Sequence, residues 1–271
     1  MGTARTVSRL LALVRAAHIG PSLAVTTIAA AYGASIGLPA PRVALVAAAV
    51  LTGQLSVGWS NDLVDVERDR RAQRADKPFA TGEVPVRTGR IACAAAVVLT
   101  VGLSLACGPG AGGLHLGCVA LAWGYNLGIK ATAWSWLPYA VAFGALPVVV
   151  ALSDPGTAVP GPLLVVAAGL LGIGAHLVNA LPDLAADEAS GVRGLPHRLG
   201  ERRAARLAVA TLAGASVAVA LGAAEVSRAA VVVALFAVAA LALLALVTHG
   251  RTPFRAAVGI ALVDVCLLVL A

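Results

Sequence analysis

The chain has 271 residues, 59% of them hydrophobic and 12% charged, with mean hydropathy +0.90 and formal net charge +7. Soluble domains carry about 45–50% apolar and about 25% charged residues, so this chain is too apolar to be water-soluble, and disorder would need the opposite composition. Its unbroken apolar runs also exceed the alternating segments of about ten residues that build a membrane barrel, which leaves an all-α polytopic membrane protein.

In chain order, the apolar runs predict nine transmembrane helices over 15–38, 42–60, 90–108, 113–129, 132–152, 160–182, 204–223, 229–248 and 254–271. Most reach the roughly 17–25 residues that cross a hydrocarbon core; 113–129 and 254–271 carry the weakest signal. The chain reads as a single domain over 1–271, with polar motif loops at 61–90 and 183–203. The start, MGTARTVSRLLALVRAAHIG, has early arginines but no long apolar core or cleavage site before Pro21, which argues against a cleaved signal peptide. Gly2 with Thr6 fits the myristoylation pattern only as a short, accidental match. Cys93, Cys107, Cys118 and Cys266 all fall in apolar runs without CxxC spacing. They read as small core residues, not as a disulfide frame or a metal site.

With the N-terminus placed in the cytoplasm, 18 of the 20 Lys and Arg residues fall on the inner side, and only Arg42 and Arg228 fall outside. That is the positive-inside pattern, and it needs the odd number of spans. The expectation is an integral protein of a bacterial inner or plasma membrane, with the polar face cytoplasmic and the C-terminus outside. The basic balance is then accounted for by topology and lipid, with no nucleic-acid partner and no evident obligate protein partner.

After the second span the chain reads NDLVDVERD. Asn61, Asp65 and Asp69 are spaced i, i+4, i+8, with Asp62 beside the first. On a helix this spacing stacks oxygen-bearing side chains on one face, and like charges there repel unless a cation intervenes. Oxygen-only ligands at this density suit Mg²⁺. At the end of the sixth span, NALPDLAAD repeats the pattern with Asn179, Asp183 and Asp187. Every member is displaced by 118 positions, and Pro78 and Gly82 map onto Pro196 and Gly200 in the same register. Two half-sites from an internal duplication are expected, with Pro182 kinking or starting a helix in the second. Arg68, Arg70, Arg71, Arg74 and Lys77 follow the first copy, Arg193 and Arg198 follow the second, and Tyr125 and Lys130 close the fourth span. Acids, a divalent ion and cations at one membrane face suit a diphosphate.

These residues resemble the UbiA superfamily of intramembrane prenyltransferases. NDLVDVERD resembles its first aspartate-rich motif, and DLAADEASG, with Asp183, Asp187 and Gly191, resembles the second. YNLGIK, with Tyr125 and Lys130, is similar to the segment between them, and DKPFATGEV to the segment after the first motif, where Lys77-Pro78 stands in place of the common Arg-Pro. The resemblance implies a UbiA-like bundle in which Asn61, Asp62, Asp65, Asp69, Asp183 and Asp187 hold Mg²⁺ and an isoprenyl diphosphate. It also implies phosphate contacts from Arg68, Lys77 and Lys130, a catalytic set of Asp65, Asp183, Tyr125 and Lys130, and a small-molecule acceptor. Asn179, Arg193, Arg198, His176 and Trp59 complete the candidate substrate-binding residues. His176 reads as an acceptor ligand, a base, or a helix–helix hydrogen bond; Trp59 and Tyr125 as interface anchors or cation-stabilising rings. Asp264 lies within the last span without an evident partner, and Asn126 and Gln54 have no assigned role. Transfer to an aromatic or quinone-precursor acceptor is the leading reading. A membrane terpene cyclase, which needs no acceptor, transfer to a sugar phosphate or glycerol lipid, and, remotely, a repeat-built transporter are the alternatives.

Overall fold

The structure is a computed structural model describing residues 2–189, 191–222, 227–248 and 252–270, apart from the side chains of residues 2–6, 185, 186, 189 and 270. Arg251, Glu225 and the side chains of Arg5 and Thr6 lie outside the described residues. All regular structure among the described residues is helical.

The elements in order are α1 (Gly2–Ala16), α2 (Ile19–Ser35), α3 (Ala40–Val64), α4 (Val66–Arg71), α5 (Pro78–Thr81), α6 (Val86–Ala106), α7 (Pro109–Leu127), α8 (Leu137–Leu152), α9 (Pro162–Ala180), α10 (Leu184–Ala189), α11 (Leu195–Leu199), α12 (Glu201–Gly222), α13 (Arg228–Val247) and α14 (Thr252–Leu270). The long helices α2, α3, α6, α7, α8, α9, α12, α13 and α14 overlie the nine predicted spans. On length and hydropathy α3, α6, α9, α12, α13 and α14 qualify as membrane-crossing. The bent pair α1–α2 makes a seventh if it is one span; α8 is apolar but short.

The structure places a further helix ahead of the first predicted span: α1 ends at Ala16, and α2, which overlies that span, follows it at a bend of 66°. The break falls at His18, a non-glycine residue in the left-handed region (φ 52°), and Pro21 sits in the first turn of α2, where its missing N–H costs nothing. Hydropathy does not detect this break, because a left-handed backbone conformation leaves no mark in it. α1 is amphipathic, exposing Val7, Leu10, Leu11 and Val14.

Successive long helices pack on one another, and α14 returns to α9, α12 and α2, closing the bundle. The contacts are built from small residues. A core of Ala29, Ala49, Ala111, Ala167, Ala168 and Ala218 with larger aliphatics joins α2, α3, α7, α9 and α12. A second core joins α9, α12, α13 and α14. The α8–α9 seam is closer still. A Cβ on Gly172 would collide with the Tyr139 backbone and the Phe143 Cβ, and one on Gly144 would meet the Val165 carbonyl at 3.2 Å. Small residues allow this approach in lipid, where dispersion and complementarity replace the hydrophobic effect between helices. The outward faces carry large apolar side chains such as Val98, Val233 and Phe236, as a lipid-facing surface requires.

Cys93, Cys107 and Cys118 are buried as expected, but Cys266 is exposed on α14, because the adjacent Leu267 and Leu268 take the inward positions. Asp264 faces the bundle, where its Oδ1 accepts the Ser216 hydroxyl. Asn126 donates to the Val57 carbonyl (2.9 Å) and the Ser60 hydroxyl (2.7 Å), tying α7 to α3.

The 118-residue register is visible in the elements themselves. α4 maps onto α10, α5 onto α11, and α3, α6, α7 and α8 onto α9, α12, α13 and α14 to within a few residues. Gly82 and Gly200, equivalent in that register, both take positive φ (77° and 75°) at the ends of their short helices.

Replacing Gly172 with Val should force α8 from α9 and cost about 1–3 kcal/mol of stability, as overpacking does. The expected result is a lower thermal midpoint in detergent, while Gly113→Val, where a Cβ meets open space, leaves it unchanged.

Candidate active site

Asn61, Asp62 and Asp65 are delivered by the end of α3, and Asp69 by α4. The helix is interrupted at Asp65, yet the backbone ladder continues across the break: the Asp65 N–H donates to the Asn61 carbonyl (3.1 Å) and the Asp69 N–H to the Asp65 carbonyl (2.8 Å). The i, i+4, i+8 relation therefore survives the kink. Asp62, Asp65 and Asp69 are 2%, 6% and 5% exposed, a depth at which a charged carboxylate needs a counter-charge.

Lysines from two other segments supply it. Lys77, just before α5, donates to Asp62 Oδ1 at 2.7 Å. Lys130, in the single 3-10 turn after α7, contacts Asp65 Oδ2 at 2.5 Å and Asn61 Oδ1 at 3.3 Å. Arg68, one turn beyond Asp65, adds a 2.7 Å bond to the same Oδ2. His18, at the α1–α2 bend, contributes Nε2 at 2.9 Å from Asp62 Oδ1. Burial pushes the Asp69 carboxyl above its ordinary value, and repulsion from Asp65 and Asp62 adds to it. Burial also pulls the Lys130 ammonium below its ordinary value, although Asp65 opposes this.

The second motif follows a different local geometry. α9 ends at Ala180, residues 181–183 form a 3-10 turn around Pro182, and α10 carries Asp187. Asp183 is exposed and Asp187 half-buried, with its carboxyl raised by burial and by Asp183 beside it. Arg68 and Arg74 of the first copy act electrostatically on Asp187, as does Lys130, and Asp183 acts on Arg74. The duplicated halves therefore face each other across one site. Arg74 itself forks onto Asp76 with two 2.9 Å bonds and holds that carboxyl down at about 2.

An aromatic and polar cluster lines the membrane side. Tyr125 of α7 meets Tyr139 of α8 edge-on at 5.4 Å, and their hydroxyls are hydrogen-bonded. Tyr139 is also hydrogen-bonded to Asn179, stacks on Phe143, and lies 4.9 Å from the His176 ring. Thus Tyr125, Asn179 and His176 converge beside the acids.

Three other named residues make their polar bonds to other groups. Trp59 turns to α1, its indole N–H donating to the Leu13 carbonyl at 2.9 Å, and packs in a cap of Ala12, Ala16, Phe79 and Val84. Arg193 pairs with Glu188 and Arg198 donates to the Arg193 carbonyl, so both brace the exposed loop after α10. Residues that sequence reasoning missed are His18, Ser135 and His197. His197, the counterpart of Phe79 in the 118 register, lies 3.8 Å from Asp187 and borders a surface cavity of about 470 Å³ with Glu188 and Glu201. Among the described residues no three His, Cys, Asp or Glu side chains are gathered as a metal cluster; ammonium groups stand against Asp62 and Asp65. The first-motif carboxylates are nonetheless oxygen donors, buried and close enough for Asp65 and Asp62 to act on Asp69, the set that a hard divalent cation suits.

Lys77→Met should leave the Asp62 charge uncompensated by the lysine. A stability loss of about 3–5 kcal/mol is expected in metal-free buffer, and Asp62→Asn in the same chain should recover most of it. Thermal midpoints of the two single variants and the double variant measure the coupling directly.

The sequence profile of the UbiA prenyltransferase family matches residues 22–265. A comparison with curated proteins gives no match. Among solved structures, the fold is similar to a UbiA homologue from Aeropyrum pernix K1 (TM-score 0.73, 18% identity, covering 91% of this chain and 96% of that one). It is also similar to a digeranylgeranylglyceryl phosphate synthase (TM-score 0.72, 16% identity, 97% of both chains). A third is a UbiA homologue from Archaeoglobus fulgidus bound to GPP and Mg²⁺ (TM-score 0.69, 17% identity, 96% of this chain and 99% of that one). With the family profile running from α2 into α14 and both aspartate-rich motifs seated on one face of the bundle, this chain belongs to the UbiA prenyltransferase family.

Proposed function

We propose that this protein transfers an isoprenyl group from a prenyl diphosphate to a small acceptor within the membrane. The observation that carries the reading is the facing pair of acid motifs rimmed by Lys77, Lys130, Arg68 and Arg74. The family membership and the relative bound to GPP and Mg²⁺ support it.

Asn61, Asp62, Asp65, Asp69, Asp183 and Asp187 would hold Mg²⁺, which when bound neutralises charge on the diphosphate leaving group. Lys77 and Lys130 can each release a carboxylate and turn to phosphate oxygens. That exchange costs little, because one anionic partner replaces another. Arg68 has the fork geometry for a second phosphate contact. Together these cations stabilise the departing diphosphate and so favour ionisation of the allylic carbon. Tyr125, Tyr139 and Phe143 present ring faces and edges on the membrane side, where an electron-deficient carbon gains from ring quadrupoles and from the exclusion of water. Burying the isoprenyl tail in the bundle contributes about 0.8 kcal/mol per CH₂. The polar groups among the rings, Asn179 and the His176–Ser135 pair, favour an acceptor site over a purely apolar cyclase slot. The strongly one-sided Lys and Arg distribution supports a cytoplasmic active site and N-terminus in a bacterial inner membrane.

Purified protein should release diphosphate from labelled geranyl, farnesyl or geranylgeranyl diphosphate only with Mg²⁺. Asp65→Ala and Asp183→Ala should each lower the rate by about 100-fold or more, the effect of losing several kcal/mol of charge stabilisation. Unchanged release in both variants overturns the assignment. Mass spectrometry of products from membrane extract then separates the chemistries: a prenylated acceptor means transfer, a hydrocarbon or free alcohol means cyclisation.

A further inference from the structure

His176 lies on α9 at the centre of the aromatic cluster, 3% exposed, and its hydrogen bonding fixes which ring nitrogen carries the proton. Ser135, fully buried, bridges two groups. Its Oγ accepts the Leu195 backbone N–H at 2.9 Å and lies 3.0 Å from His176 Nε2. A serine hydroxyl has one proton to donate, and a buried one left without an acceptor is costly. Among the described residues His176 Nε2 is the one acceptor in reach of that proton. Ser135 therefore donates to Nε2, and neutral His176 must carry its own proton on Nδ1. Gly194 packs so closely that a Cβ there would meet the Lys130 carbonyl at 2.5 Å and the Ser135 Oγ at 2.9 Å, so this approach of the Leu195 N–H to Ser135 needs a glycine beside it. The Nδ1–H has no hydrogen-bond partner among the described residues, yet it is not sealed off, unlike both ring nitrogens of His197.

We propose that His176 is a specificity residue that donates its Nδ1–H to an oxygen of the acceptor. The enzyme would then take acceptors whose polar group near the aromatic cluster is a hydrogen-bond-accepting oxygen (carboxylate, carbonyl or phenolic), and would reject those that present only N–H donors there. This rests on the transferase reading above. It excludes His176 from acting through Nε2 as a general base, because that lone pair is engaged by Ser135.

Nitrogen-15 NMR of histidine-labelled protein in lipid nanodiscs tests the tautomer without any substrate. The chain has five histidines, and His176→Phe identifies the relevant signals. A protonated Nδ1 with an unprotonated Nε2 is expected, and Ser135→Ala should abolish that preference; a protonated Nε2 in the native protein overturns the proposal. For the functional arm, 4-hydroxybenzoate serves as the oxygen-bearing probe and 4-methylaniline as the donor-only comparison. His176→Phe should raise KM for 4-hydroxybenzoate by about 5- to 100-fold, the effect of losing one buried hydrogen bond, and leave KM for the prenyl diphosphate unchanged. His176→Asn, whose amide N–H lies near the Nδ1 position, should recover part of the loss. An unchanged acceptor KM in His176→Phe, or native protein preferring 4-methylaniline, overturns the specificity role. Native protein that releases diphosphate while consuming no acceptor overturns the transferase reading, and the specificity role with it. Native protein inert toward every prenyl diphosphate instead overturns the transferase reading.

Discussion

The organising constraint is the burial of three carboxylates within two helical turns at the edge of a bilayer. Asp62, Asp65 and Asp69 cannot remain charged there on their own, and the counter-charges come from the segment before α5 and the turn after α7. That requirement sets the arrangement of the whole face. α7 must end where Lys130 reaches Asp65, the α4–α5 loop must fold back over Asp62, and the α1–α2 bend must bring His18 to the same oxygen. Even Trp59 serves this arrangement, since its bond to Leu13 fixes α1 against the motif it precedes. Among the described residues nothing comparable occurs on the opposite face, where Arg42 and Asp154 form a loose 3.7 Å pair.

The small-residue bundle makes such precision possible. Alanine and glycine seams bring helix backbones together, so the motif-bearing ends of α3 and α9 and the ring-bearing ends of α7 and α8 are held by backbone proximity more than by flexible side chains. On the transferase reading, a site that handles a reactive carbon gains from walls held in place by close packing.

Much of this was legible in the sequence, for identifiable reasons. The long helices follow from apolar run length, and the facing of the two motifs from their common register, because both signals are local or periodic. The bend at His18 was not legible: a left-handed residue leaves no trace in hydropathy. Neither were Ser135 and His197, each a single polar residue whose partners lie far off in the chain; Ser135 and His176 are 41 positions apart. Asp264 could be placed inside a span but not paired, since Ser216 is 48 residues away. Trp59 was misleading for the opposite reason. Its position near the acids is real, but its polar edge is turned to α1, and orientation about a helix axis at a kink does not follow from spacing.

The duplication has a consequence for how a substrate can lie. Two half-sites related by a repeat would, if equivalent, accept a diphosphate either way round. Here the halves have diverged: the register positions of Lys77 and Arg68 are occupied in the second copy by Leu195 and Ala186, and that of Phe79 by His197. One rim is therefore rich in fixed ammonium and guanidinium charge, and the other is leaner and more open. On the transferase reading, the inherited symmetry supplies two oxygen-lined halves of one cage. The broken symmetry gives that cage a polarity, so that the two ends of a diphosphate, one free and one esterified, are no longer interchangeable.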